Sequence, residues 1–169
     1  LLMATALLLV SCGDNKANSV ISQLSGETMG TFWHVRLAAP LDAPAQAALQ
    51  RRIDVALEAV NDSMSTYRDQ SELMRFNHST ATTPQPVSDG MRRVVGKALE
   101  ISAQSDGVYD ITVGPLVNLW GFGPVKRQDK PADSEIAAAL QHIGYGKLQL
   151  TDAGLAKSDP QVFIDLSSI

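Results

Sequence analysis

Four short stretches of this sequence hold side chains that packing alone does not explain. In Glu27-Thr28-Met29-Gly30-Thr31, a flexible thioether precedes a glycine at the entrance to an extended segment. Met29 there either fills the core or lies against an aromatic ring, since sulfur and π faces attract by roughly 0.3–1.5 kcal/mol. Met64 to Leu73 gathers polar side chains around Tyr67, which offers a flat apolar face with a hydrogen-bonding tip. The plainer reading of that stretch is a helix end capped by Ser and Asp. In Asp106 to Pro115, Gly107 and Gly114 bracket a short extended run through Val108, Tyr109 and Asp110. A backbone flanked by glycines can be approached closely, so a planar heterocycle can read its N–H and C=O groups. Asp110 has apolar neighbours and needs a partner, whether a capping amide, a ligand or a metal. Asn118 to Pro124 alternates aromatic residues with glycines, which suits a hydrophobic plug over the core or the wall of a ring-binding pocket.

Periodic patterns supply the elements that must position these stretches. Phe32 to Ala38 alternates Trp33, Val35 and Leu37 with Phe32, His34 and Arg36, the period-two pattern of a strand. Asp42 can cap a helix with Pro44 in its first turn, and Leu49, Ile53, Val60 and Met64 then form a stripe expected to face the core. Ser88 caps a second helix, with Asp89 in its first turn and an apolar face of Met91, Val94, Val95, Ala98 and Leu99. Asp133 begins a third, carrying Ile136, Leu140 and Ile143 and stopping at Gly144. Strands are expected at Lys147 to Thr151 and Gln161 to Leu166. Helices and strands mix without a regular β-α-β spacing, so the predicted class is α+β around a mostly antiparallel sheet.

Composition narrows the function. The 169 residues are 44% hydrophobic and carry 14 Lys plus Arg against 18 Asp plus Glu, a formal charge of -4. The basic pairs Arg51-Arg52, Arg92-Arg93 and Lys126-Arg127 are too scattered to grip phosphate backbones, which excludes nucleic acid as a partner. A single cysteine excludes an internal disulfide, and His34, His78 and His142 are too far apart for a local zinc cluster, so any metal must be held by oxygen. Leu1 to Val10 is apolar, ends at Ser11-Cys12-Gly13, and is too short to span a bilayer. Leu9-Val10-Ser11-Cys12 resembles a bacterial lipobox, which implies lipid attachment at Cys12 and a protein held at the membrane on its periplasmic side. The expected organisation is a lipoprotein signal peptide at 1–12, a tether at 13–24 and a domain at 25–169. The chain stops just after a predicted apolar strand, so the C-terminal part of that domain is expected to be missing.

Four segments in order carry a family resemblance. MGTFW at Met29 to Trp33, MSTYRDQSELMRFN at Met64 to Asn77, DGVYDITVGPLVNLWGFGP at Asp106 to Pro124 and IDLSSI at Ile164 to Ile169 together resemble the ApbE family, the FAD:protein FMN transferases. The resemblance implies a Mg²⁺-dependent transfer of the FMN half of FAD onto a Thr or Ser hydroxyl of a client flavoprotein, with release of AMP. It implies FAD contacts at Met29, Tyr67, Val108, Tyr109, Asp110 and Asp165, and a contribution of Ser168 to the magnesium site, suited to a hard oxygen ligand. It further implies a client subunit belonging to a periplasmic or membrane redox complex. The resemblance also implies that the last motif continues past Ile169 and that the remaining magnesium ligands, including an aspartate, lie in a C-terminal half, so this chain alone is expected to be inactive. An FAD pyrophosphatase yielding FMN and AMP, and a non-catalytic lipid-anchored FAD-binding protein, fit the same segments. No general base is evident, because no histidine lies in the four motifs.

Overall fold

A computed structural model describes residues 22–124 and 126–169. The predicted signal peptide, Cys12 and most of the tether lie outside the described residues. The chain divides into two units, Leu1–Arg51 and Arg52–Ile169.

In the first unit, β1 (Gln23–Thr28) and β2 (Thr31–Arg36) form an antiparallel hairpin whose register runs from Gln23 opposite Arg36 to Thr28 opposite Thr31. Met29 and Gly30 are therefore its two-residue turn, and both have positive φ, +52° and +72°, as the twist-matched hairpin turn requires. The alternation read from the sequence holds: Trp33, Val35 and Leu37 are half-buried, while Phe32, His34 and Arg36 are exposed. β1 was not anticipated, because Gly26 interrupts its pattern. The structure gives that glycine a reason, since a Cβ there would lie 2.8 Å from Trp33 Nε1. β1 begins inside the stretch expected as tether, and Leu24 is already buried.

Helix α1 (Ala43–Met64) starts where Asp42 predicts: Asp42 Oδ1 accepts the Ala45 N–H at 2.8 Å. The side-chain amides of Gln46 and Gln50 donate to the carbonyls of Gln23 and Ser25, each at 3.3 Å, which ties the first turns to β1. The expected apolar stripe is shallower than its period suggests. Leu49, Ile53 and Met64 are only half-buried, Val60 is exposed, and the helix's one buried residue is Asn61.

The second unit holds α2 (Glu72–His78), α3 (Asp89–Gln104), α4 (Gly114–Leu119), α5 (Asp133–Leu140) and an antiparallel hairpin of β3 (Leu148–Thr151) and β4 (Gly154–Lys157). Its core joins Leu73 and Phe76 of α2, Met91, Val95 and Ala98 of α3, Leu148 and Leu155 of the hairpin, and Ile111, Val162, Ile164 and Leu166 outside these elements. Full burial of side chains of this kind stabilises by roughly 1.5–3 kcal/mol each. Ser88 caps α3 as predicted, its Oγ accepting the Met91 N–H at 3.2 Å. Glu72 fastens that cap to the start of α2: it accepts from Ser63 Oγ at 2.8 Å, from Ser88 Oγ at 2.7 Å and from the Ser88 N–H. Burial pushes the Glu72 carboxyl up, but these donors outweigh it and leave it below the ordinary 4.5.

Several expected elements differ. Glu72–His78, for which the sequence predicts no element, is a helix capped by Ser71, whose Oγ accepts the Met74 N–H at 3.0 Å. The run expected to be extended through Gly114 turns at Asp110 into a 3₁₀ turn, Ile111–Val113, and continues into α4, with Pro115 in its first turn. A proline there fits, because its missing N–H would have no helical partner anyway. Helix α5 ends at Leu140, so Gly144 is not its stop and Ile143 lies outside it. Gln161 to Leu166 keeps the expected alternation, with Val162, Ile164 and Leu166 buried, but among the described residues it pairs with no strand. The mixed, antiparallel α+β class stands. Among the described residues, no helix is long and apolar enough to cross a membrane.

Candidate functional site

The third and fourth motifs meet. Tight backbone turns begin the third: Ser105 caps the end of α3, and Asp106 and Gly107 follow with φ of +52° and +79°. The Gly107 N–H bonds back to the Ser102 carbonyl at 2.8 Å, reversing the chain so that Val108 projects into solvent, 91% exposed. Tyr109 packs against the core, and its N–H donates to Ser105 Oγ at 3.1 Å.

Asp110 has found the first of its possible partners, capping amides. Its Oδ1 accepts the Thr112 N–H at 2.8 Å and the Thr112 hydroxyl at 2.6 Å, while Oδ2 accepts the Tyr145 N–H at 2.7 Å. Thr112 Oγ1 in turn accepts the Gly144 N–H at 2.7 Å. One carboxylate thus starts the 3₁₀ turn and anchors the loop between α5 and β3.

The fourth motif lies alongside. The Asp165 N–H donates to the Ile111 carbonyl at 2.8 Å, and Asp165 Oδ1 accepts the Ser167 N–H at 2.8 Å, a local turn that presents Ser167 and Ser168 outward. Ser168 Oγ donates to the Tyr109 hydroxyl at 3.3 Å, closing the link between the two motifs. Of the residues predicted from the sequence, Tyr109, Asp110, Asp165 and Ser168 are therefore neighbours.

Tyr67 stands apart from this group. It is 65% exposed just after α1, with its N–H on Ser65 Oγ at 3.2 Å. Met29 belongs to the first unit, where it sits 54% exposed at the tip of the hairpin. The glycine-aromatic stretch is no plug, since Trp120 and Phe122 are 43% and 77% exposed.

Two residues that sequence reasoning passed over hold the fourth motif in place. Asn77, the last residue of the second motif, gives Nδ2 to the Ile164 carbonyl at 2.9 Å and takes the Ile164 N–H on Oδ1 at 2.8 Å. Lys157, at the end of β4 and fully buried, donates from Nζ to the carbonyls of Asn77 at 2.9 Å and Val162 at 3.2 Å. Burial lowers the pKa of its ammonium, partly countered by the charge of Asp159. The Asn77 signal was available, because it closes a quoted motif. Lys157 carried none, because lysine is ordinarily a surface residue.

Among the described residues, no group of three or more His, Cys, Asp and Glu could hold a metal ion. Ser168 offers oxygen, but Asp110 and Asp165 are already turned onto backbone N–H groups. The residues present do not by themselves make a magnesium site.

A model of the ApbE family matches residues 29–169. The chain is 43% identical over 176 residues to the FAD:protein FMN transferase of Salmonella typhimurium, covering 99% of this chain and 50% of that protein. It is similar to the solved flavin transferase ApbE from Vibrio cholerae, with a TM-score of 0.81, 42% identity, and coverage of 88% of this chain and 49% of that one. It also resembles the apo form of the Pseudomonas stutzeri flavinyl transferase ApbE, with a TM-score of 0.80, 34% identity, and coverage of 88% and 50%. The chain thus spans about half the length of the relatives it matches.

Proposed function

This chain belongs to the ApbE family, and on that premise we propose that it forms the FAD-binding portion of an FAD:protein FMN transferase. The observation that carries the reading is the joining of the third and fourth motifs through Tyr109, Ser168, Ile111 and Asp165, in a chain whose relatives carry that name. In the proposed reaction, a Thr or Ser hydroxyl of a client flavoprotein attacks the phosphorus of the FMN half. The bond to the AMP phosphate breaks, AMP departs and the hydroxyl proton is released. Within the second unit, the backbone around Val108 to Asp110, the exposed ring of Tyr67 and Asp165 would contact FAD. Orientation of the labile bond is much of the catalysis in such transfers.

Mg²⁺ is part of the proposal, with Ser168 as one oxygen ligand and the others outside the described residues. The same reading places the protein on the periplasmic side of a bacterial membrane, held by lipid on Cys12, with a redox-complex subunit as client. Cys12→Ser should then shift the protein from the membrane to the soluble fraction of cells.

The test is to incubate the complete gene product with FAD, Mg²⁺ and a client domain. Covalent FMN on the client with one AMP per transfer supports the reading. Free FMN released without a client would make the protein a hydrolase, and FAD bound without AMP would make it a carrier.

A further inference from the structure

We infer that Asn77 and Lys157 are positioning residues that set residues 162–168 against the third motif and so fix where Asp165 and Ser168 stand. The inference rests on the flavin reading above. Residues 161–166 have the alternating burial of a strand, and among the described residues no strand pairs with them; buried backbone polar groups in such a place must be satisfied some other way. Asn77 supplies that partner: its single amide pairs with both the N–H and the C=O of Ile164, as the facing residue of a ladder would.

Lys157 completes the clip. Its Nζ bridges the carbonyl of Asn77, in the last turn of α2, and the carbonyl of Val162, two residues before Ile164. Carbonyls in a last helical turn have no partner within the helix, and the negative end of the helix dipole favours a cation there. The side chain also passes 5.3 Å from the centre of the Phe76 ring. An ammonium costs a great deal to bury, and among the described residues no carboxylate is in ion-pair contact with this one. A methionine would fill the same space without that cost. What lysine adds is placement of two backbone oxygens, one on each side of the joint between the second and fourth motifs. From Ile164 the chain runs directly to the Asp165 bond with Ile111 and the Ser168 contact with Tyr109.

The test uses the complete gene product with Lys157→Met, which keeps the apolar packing on Phe76, and Asn77→Ala as the second variant. Thermal melts establish that each is folded, amide exchange reads Ile164 and Asp165, and FAD binding is measured by equilibrium titration. Losing these bonds should speed exchange at both amides roughly tenfold and weaken FAD binding by a similar factor, in a protein that still melts cooperatively. Unchanged exchange, or faster exchange with wild-type FAD affinity, would overturn the inference. A wild-type protein that binds no FAD refutes the flavin reading itself, and the clip's service to that site falls with it. The wild-type titration alone separates that failure from the other.

Discussion

Replacing the Asp110 carboxylate separates a cap from a ligand. The structure gives it three donors: the Thr112 N–H, the Thr112 hydroxyl and the Tyr145 N–H. Thr112 is fully buried, so its N–H cannot turn to water instead. Asp110→Asn keeps one acceptor oxygen but points an NH₂ at one of the two backbone N–H groups. A charge-assisted hydrogen bond is thereby lost and a donor orphaned, at about 1.5–3 kcal/mol. Asp110→Ala removes all three acceptor contacts and should cost roughly 3–5 kcal/mol. For a domain of this size about 2 kcal/mol corresponds to a fall in Tm of roughly 4–8 °C. Thermal and urea melts of both variants, run beside an FAD titration, measure this. The expected result is graded destabilisation, with FAD affinity falling in the same order as the loop between α5 and β3 loosens. An Asp110→Asn protein that melts with the wild type yet binds no FAD would refute the reasoning, because the carboxylate would then be contacting the ligand rather than holding the turn.

The remaining predictions address other parts of the chain. Met29 occupies a left-handed turn position at φ +52°, so Met29→Asn should stabilise the protein by about 1 kcal/mol while weakening FAD binding, read by melts and titration together. Leu155, fully buried in the core of the second unit, should cost roughly 2–5 kcal/mol as Leu155→Ala in urea unfolding. Asp159 is held down to about 2 by His142 beside it and by the Gln161 N–H. A carboxyl depressed on folding stabilises above its ordinary 3.8 and loses that contribution as pH falls through about 2. Asp159→Asn should therefore flatten the pH dependence of Tm between those two values.

The parts of the fold legible in the sequence are those whose signals are local. Asp42 and Ser88 named the starts of α1 and α3 because a cap acts within three residues, and the alternation from Phe32 named β2. Elements fixed by distant partners were not legible. Helix α2 is a short helix sunk in the core through Leu73, Met74 and Phe76, too brief to show a period. The residues 161–166 were read as a strand because alternation reports burial, not pairing, and among the described residues the partner of Ile164 is one side-chain amide. In the third motif, Gly107 and Gly114 drew attention from the better signals, an aspartate that caps and a proline that opens a helix. The site residues came from the motifs themselves. Their chemistry suggested that Asp110 needed partners, but not that a loop some 35 residues on would supply one of them.

The central claim is that the third and fourth motifs together form the place where FAD binds. Amide exchange of the complete gene product, with and without FAD in the presence of Mg²⁺, measures it most directly. The account predicts slower exchange at residues 106–113 and 162–168 when FAD is added, with the outer faces of α3 and α5 unchanged. FAD that binds without slowing either segment would contradict it.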